Sequence, residues 1–79
     1  MQISCQFLLC PLRIENLGPV LREALEELDA LDIHYTVGRM STSLEGEEEK
    51  VFTALARAFH RVAREREVIL TATVSNACQ

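Results

Sequence analysis

The chain predicts an α+β fold of four strands and two helices, in the order β-α-β-β-α-β. Three observations predict it. Four short segments alternate apolar and polar residues at a period of two, and two longer ones repeat apolar residues at three- and four-residue steps. The second of the longer segments opens on Glu47-Glu48-Glu49 and closes among Arg57, Arg61, Arg64 and Arg66. That polarity complements a helix dipole, which favours anions at the N-terminus and cations at the C-terminus.

The first strand runs from Gln2 to Cys10, with Ile3, Cys5, Phe7 and Leu9 on one side and Gln2, Ser4, Gln6, Leu8 and Cys10 on the other. Pro11 lacks a ladder donor and ends it. Asn16 is expected to cap the first helix, with Pro19 tolerated in its first turn. Leu17, Val20, Leu21, Ala24, Leu25, Leu28 and Leu31 form its apolar stripe, and Arg22, Glu23, Glu26 and Glu27 are expected on a solvated face. Ile33, Tyr35 and Val37 alternate with His34, Thr36 and Gly38 as a second strand.

Gly38-Arg39 is read as a tight connection into a third strand, Met40 to Glu45, from which Gly46 releases the chain. Met40, Thr42 and Leu44 then face one way, and Ser41, Ser43 and Glu45 the other. Glu47 to Glu49 form the first turn of the second helix, whose buried side is expected to hold Val51, Phe52, Leu55, Ala58, Phe59 and Val62. The last strand runs from about Glu67 to Asn76, where Val68, Leu70, Ala72 and Val74 alternate with Ile69, Thr71, Thr73 and Ser75.

This order is solved most compactly by a ferredoxin-like βαββαβ sandwich, a four-stranded antiparallel sheet with both helices on one face. The first and third strands are then central, the fourth flanks the first, and the second flanks the third. Residues 1–79 are expected to form a single domain of this kind.

Composition narrows the function. The net charge of −4 opposes a phosphate-backbone partner, which needs clustered cations. The open face carries no aromatic by parity, since Phe7 and Tyr35 point to the core, so RNA binding by base stacking is not expected. No 18-residue apolar run or secretory signal is present, which leaves no membrane partner and a cytoplasmic location as the expectation. Cys5, Cys10 and Cys78 show no metal-ligand spacing and are read as reduced packing residues. A hydrophobic share of 48% is high for so short a chain, and self-association follows as an expectation. The three glycines, Gly18, Gly38 and Gly46, build no phosphate loop. No metal or cofactor is implied, and no nucleophile stands beside a base, so the chain is not read as an enzyme.

What remains is the sheet face turned from the helices. Parity gives it Gln2, Ser4, Gln6 and Leu8, then His34 and Thr36, then Ser41, Ser43 and Glu45, then Ile69, Thr71, Thr73 and Ser75. Short neutral donors and acceptors suit a face covered by a ligand or a second subunit, because each is satisfied at low desolvation cost.

Ser4-Cys5-Gln6-Phe7 and the block Gly38-Arg39-Met40-Ser41-Thr42-Ser43-Leu44-Glu45-Gly46 resemble the small thiamine-binding proteins of the YkoF-like family. The likeness continues through Val51-Phe52 and Ser75-Asn76. It implies a ferredoxin-like fold, assembly into a dimer or tetramer through sheet contacts, and binding of thiamine or its hydroxymethylpyrimidine half without catalysis. It carries ligand contact onto Gln6, Ser41, Thr42 and Glu45. Parity adds His34 and Ser43 as candidates from the same face and turns Thr42 away from it, so either a bulge re-aims Thr42 or its hydroxyl has a structural role. Two other classes compete: an assembly surface without a ligand, and a small enzyme using Glu45 and His34 as acid and base.

Overall fold

The computed structural model describes residues 1–13 and 16–77. Its elements are β1 (Gln2–Pro11), α1 (Gly18–Ala30), β2 (His34–Val37), β3 (Thr42–Glu47), α2 (Glu48–Ala63) and β4 (Val68–Ser75). The sheet is antiparallel throughout, in the order β2-β3-β1-β4. This is the ferredoxin-like arrangement expected from the sequence. Cys78 lies outside the described residues. Among those described, no helix is long and apolar enough to cross a membrane.

The core lies between the sheet and the two helices. Ile3, Cys5, Phe7 and Leu9 of β1 and Leu44 of β3 meet Val20, Ala24 and Leu28 of α1 and Val51, Ala54, Ala58 and Val62 of α2. Burial raises the Cys5 thiol above its ordinary pKa, because the thiolate would lose its solvation.

Several expectations need correction. The third strand begins two residues later than Met40. The Gly38 N–H donates to the Ser41 carbonyl at 2.9 Å, closing a turn that takes up Met40 and Ser41. Met40 is therefore 83% exposed instead of facing the core. Pairing then persists to Glu47, so α2 starts at Glu48, and Glu47 sits at its N-cap.

At the start of α1, Leu17 holds the N-cap position. The Asn16 side chain instead accepts from the Gly18 N–H at 3.0 Å, one residue out of register for a capping role.

Phe52 and Phe59, expected inside, are 52% and 42% exposed. The buried stripe of α2 is Val51, Ala54, Leu55, Ala58 and Val62. Phe52 and Phe59 stand about 100° round the helix from Val51 and Ala58 and mark the edge of the stripe. Val51, Ala58 and Val62, all 0% exposed, lie at its centre.

The acidic side of α1 is not simply solvated. Glu27 pairs with Arg57 at 3.3 Å and with Arg61 at 2.9 Å, Glu26 with Arg61 at 2.8 Å, and Glu23 with Arg66 at 3.1 Å. These contacts link the helices along the surface of their interface. The hydrogen bond from Arg66 holds the Glu23 carboxyl below its usual pKa. A depressed carboxylate stabilises the fold above its unfolded pKa, and that contribution is lost as pH falls through the folded value. Arg66→Gln is thus expected to lower stability near neutral pH and to converge with the parent in acid. Urea unfolding of both at about pH 7 and about pH 3 checks it.

The end of α1 fixes where β2 begins. The Asp32 N–H donates to the Asp29 carbonyl and the Ile33 N–H to the Leu28 carbonyl, with Asp32 at φ 54. That is a Schellman closure, with the buried pair Leu28 and Ile33 sealing it. Ile33 therefore packs beneath the helix end, and the strand itself opens at His34.

Candidate functional site

Strand register alone builds the site. Ser4 lies opposite Glu45 on one side and Ser75 on the other, and Glu45 lies opposite His34. One rung thus crosses the whole sheet as His34, Glu45, Ser4, Ser75. Two residues along each strand, Gln6 pairs with Ser43 and Thr73, and Ser43 with Thr36. The second rung reads Thr36, Ser43, Gln6, Thr73. Neighbouring strands are spaced by about 4.8 Å, and same-face residues along a strand by about 7 Å. Eight polar side chains therefore stand on a grid of four by two, turned from the helices.

This grid lines an open depression of about 700 Å³, with Ala77 at its margin. The Ala77 N–H donates to the Ser75 hydroxyl at 2.9 Å, bending the chain around the end of β4. Pockets of roughly 300–1,000 Å³ suit a small molecule. Cys5 and Leu44 border the depression with their side chains in the core.

Of the six residues expected at a site, Gln6, His34, Ser43 and Glu45 come together on the grid. Ser41 is in the turn before β3 and does not border the depression. Thr42 is 3% exposed and pairs with Phe7 and Val37 in an unbroken register, so it stays on the core side and no bulge re-aims it. Ser4, Thr36, Thr73 and Ser75 complete the lining. Parity placed all four on the open face, but only the pairing register shows that they share two rungs.

The electrostatics are sparse. Among the described lining residues, Glu45 and His34 are the ionisable side chains that face the depression, and they are direct cross-strand partners. Hydroxyls and one amide make up the rest, groups that donate or accept as a ligand requires. The aromatic rings adjacent in sequence to the lining are turned away from it: Phe7 is in the core, and Tyr35 of β2 donates from its hydroxyl to Asp29 at 2.8 Å. That bond holds the tyrosine hydroxyl protonated, its pKa raised first by the hydrogen bond and then by burial. Farther along the open face the character changes. Leu8 and Ile69 are 47% and 52% exposed, and Cys10 pairs opposite Ile69. Among the described residues, no group of three His, Cys, Asp or Glu side chains is placed to hold a metal ion.

A family model described as the YKOF-related family matches residues 2–79. No curated protein matches the chain. A solved domain of unknown function from Bacillus cereus is similar at 26% identity and a TM-score of 0.81, over 95% of this chain and 75% of its own. A Thermotoga maritima protein assigned provisionally to thiamine biosynthesis or salvage is similar at 19% identity and 0.81, over 95% and 83%. A de novo designed ferredoxin-fold protein shares 12% identity at 0.66, over 100% and 88%. The last two likenesses speak for the fold. The family match spans nearly every residue, and on that ground the chain belongs to the YKOF-related family.

Proposed function

We propose that the protein binds thiamine or its hydroxymethylpyrimidine portion on the open face of the sheet, without catalysis, as a carrier or sensor. The observation that carries this reading is the two-rung grid of hydroxyls and amide around a single carboxylate. An aminopyrimidine offers an exocyclic N–H donor and ring-nitrogen acceptors. Glu45 would accept from the donor, while Ser43, Thr36 and Gln6 would complete either polarity. The cationic thiazolium is favoured beside the same carboxylate. Family membership and the assignment given to the Thermotoga protein lend support. In this reading Gln6, His34, Ser43 and Glu45 touch the ligand, Ser41 stays outside the depression in the turn before β3, and Thr42 has a structural role.

Isothermal titration with thiamine and with hydroxymethylpyrimidine tests the proposal. Saturable heat is expected for the parent, and Glu45→Ala is expected to weaken binding by about tenfold, the loss of one charge-assisted hydrogen bond. Absence of heat at millimolar ligand overturns the reading.

A second reading draws on the exposed Leu8 and Ile69 at the far end of the same face. There the sheet would be an assembly surface for a dimer or tetramer, without a small-molecule ligand. Sedimentation of the parent against Ile69→Lys separates the two roles. Under this second reading the variant dissociates.

A further inference from the structure

The geometry points to a pocket that selects its ligand by charge: it takes a cationic, phosphate-free heterocycle, rejects the phosphate ester of the same molecule, and is weakened when His34 is protonated. The inference rests on the reading above and adds to it the class of ligand admitted and how admission is controlled.

The argument begins with where the cations are. The chain has eight Lys and Arg residues. Arg57, Arg61 and Arg66 are engaged with carboxylates of α1, on the layer behind the sheet. Arg13 pairs with Glu67 at the end of the sheet, and Lys50 donates to the Asp32 carbonyl below α1. Arg22 is on α1, Arg64 is at the C-cap of α2, and Arg39 is exposed in the turn between β2 and β3 without bordering the depression. No Lys or Arg is among the described residues lining the depression. Phosphate recognition draws on a cation fork, or on the N–H groups at a helix N-terminus. Both helices lie on the opposite face. A phosphoryl group entering here would meet hydroxyls, the Gln6 amide and the His34 imidazole but no fixed cation, and would face Glu45 with like charge. An organic cation meets the reverse situation.

His34 sets the balance. It stands directly opposite Glu45 on β2, an edge strand, and no helix covers this side. Glu45 is the charged group facing it from β3, and Ser43 and Thr36 beside them are neutral. While the imidazole is neutral, the grid carries the charge of Glu45 alone. Once protonated, the imidazolium cancels that charge next to the place where the ligand cation would sit.

Titration calorimetry of the full chain with thiamine and with thiamine monophosphate, each at about pH 8 and about pH 6, provides the test. Thiamine is expected to bind at least about tenfold more tightly than its monophosphate at the higher pH. Its affinity is expected to fall roughly threefold to tenfold at the lower one. Glu45→Gln is expected to erase the preference between the two ligands. His34→Gln is expected to bind thiamine equally at both pH values, which separates imidazole titration from any protonation of the ligand. Circular dichroism of each variant confirms that the fold is kept, as exposed positions predict. Equal or tighter binding of the monophosphate, or an acid loss that persists in His34→Gln, overturns the selection by charge while leaving thiamine as the ligand. Failure of the parent to bind either compound overturns the underlying reading as well.

Discussion

Phe7→Ala is expected to destabilise the fold by about 3–5 kcal/mol, the largest effect of any single truncation in this chain. Phe7 is 2% exposed and sits on a central strand between Thr42 of β3 and Ala72 of β4. Both lateral neighbours are small, so neither reaches across the void that the ring would leave. Natural domains hold about 5–15 kcal/mol in total, and a 79-residue chain buries a modest share of its surface. The variant should therefore show a urea midpoint far below the parent's with an unchanged slope. Leu8→Ala is the matched control. One residue along, Leu8 points to the open face and is 47% exposed, so its truncation should stay within roughly 0.5 kcal/mol. A cost for Leu8→Ala equal to that for Phe7→Ala would mean that the two faces of β1 are not divided as described.

Ser43→Trp is expected to abolish ligand binding while leaving stability within roughly 0.5 kcal/mol of the parent. Ser43 is exposed and lies between Gln6 and Thr36 in the middle of the second rung. Cross-strand neighbours stand only about 5 Å away, and an indole covers on the order of 200 Å². Trp is also well suited to a strand, so nothing opposes the substitution locally. Loss of thiamine heat with an unchanged unfolding curve and sedimentation coefficient supports the binding reading. A change in sedimentation instead favours the assembly reading. Full retention of affinity would remove the grid as the binding surface.

Much of this molecule was legible in its sequence because period-two alternation survives wherever one sheet face is covered. Ile3, Cys5, Phe7 and Leu9 went to the core side and Ser4 and Gln6 to the other, as parity required. The sheet order followed from connection rules alone. The misreadings are of a different kind. Met40 and Ser41 continue the alternation on paper, yet the bond from Gly38 to Ser41 spends those residues on a turn, and local pattern carries no trace of it. Phe52 and Phe59 are hydrophobic enough to be core. Ala54 was left out of the expected stripe, yet it is 0% exposed within it.

The site was half legible. Its residue types and face could be read, but the pairing of His34 with Glu45 depends on the exact register between β2 and β3. Moving β3 by one residue would have turned Ser43 and Glu45 inward and broken both rungs. The ion pairs between α1 and α2 were hidden for a similar reason, since helix charges look solvated until the facing helix is known.

Each rung of the grid takes one side chain from all four strands, including β4 at the far end of the described chain. The recognition surface is therefore a property of the assembled sheet, and no hairpin or truncated piece of the chain owns it. Occupancy and folding become one thermodynamic cycle: a molecule that sees only the finished lattice draws the chain toward completion in proportion to the logarithm of its concentration. In a small protein of modest reserve, whatever this face holds would act as a final structural component.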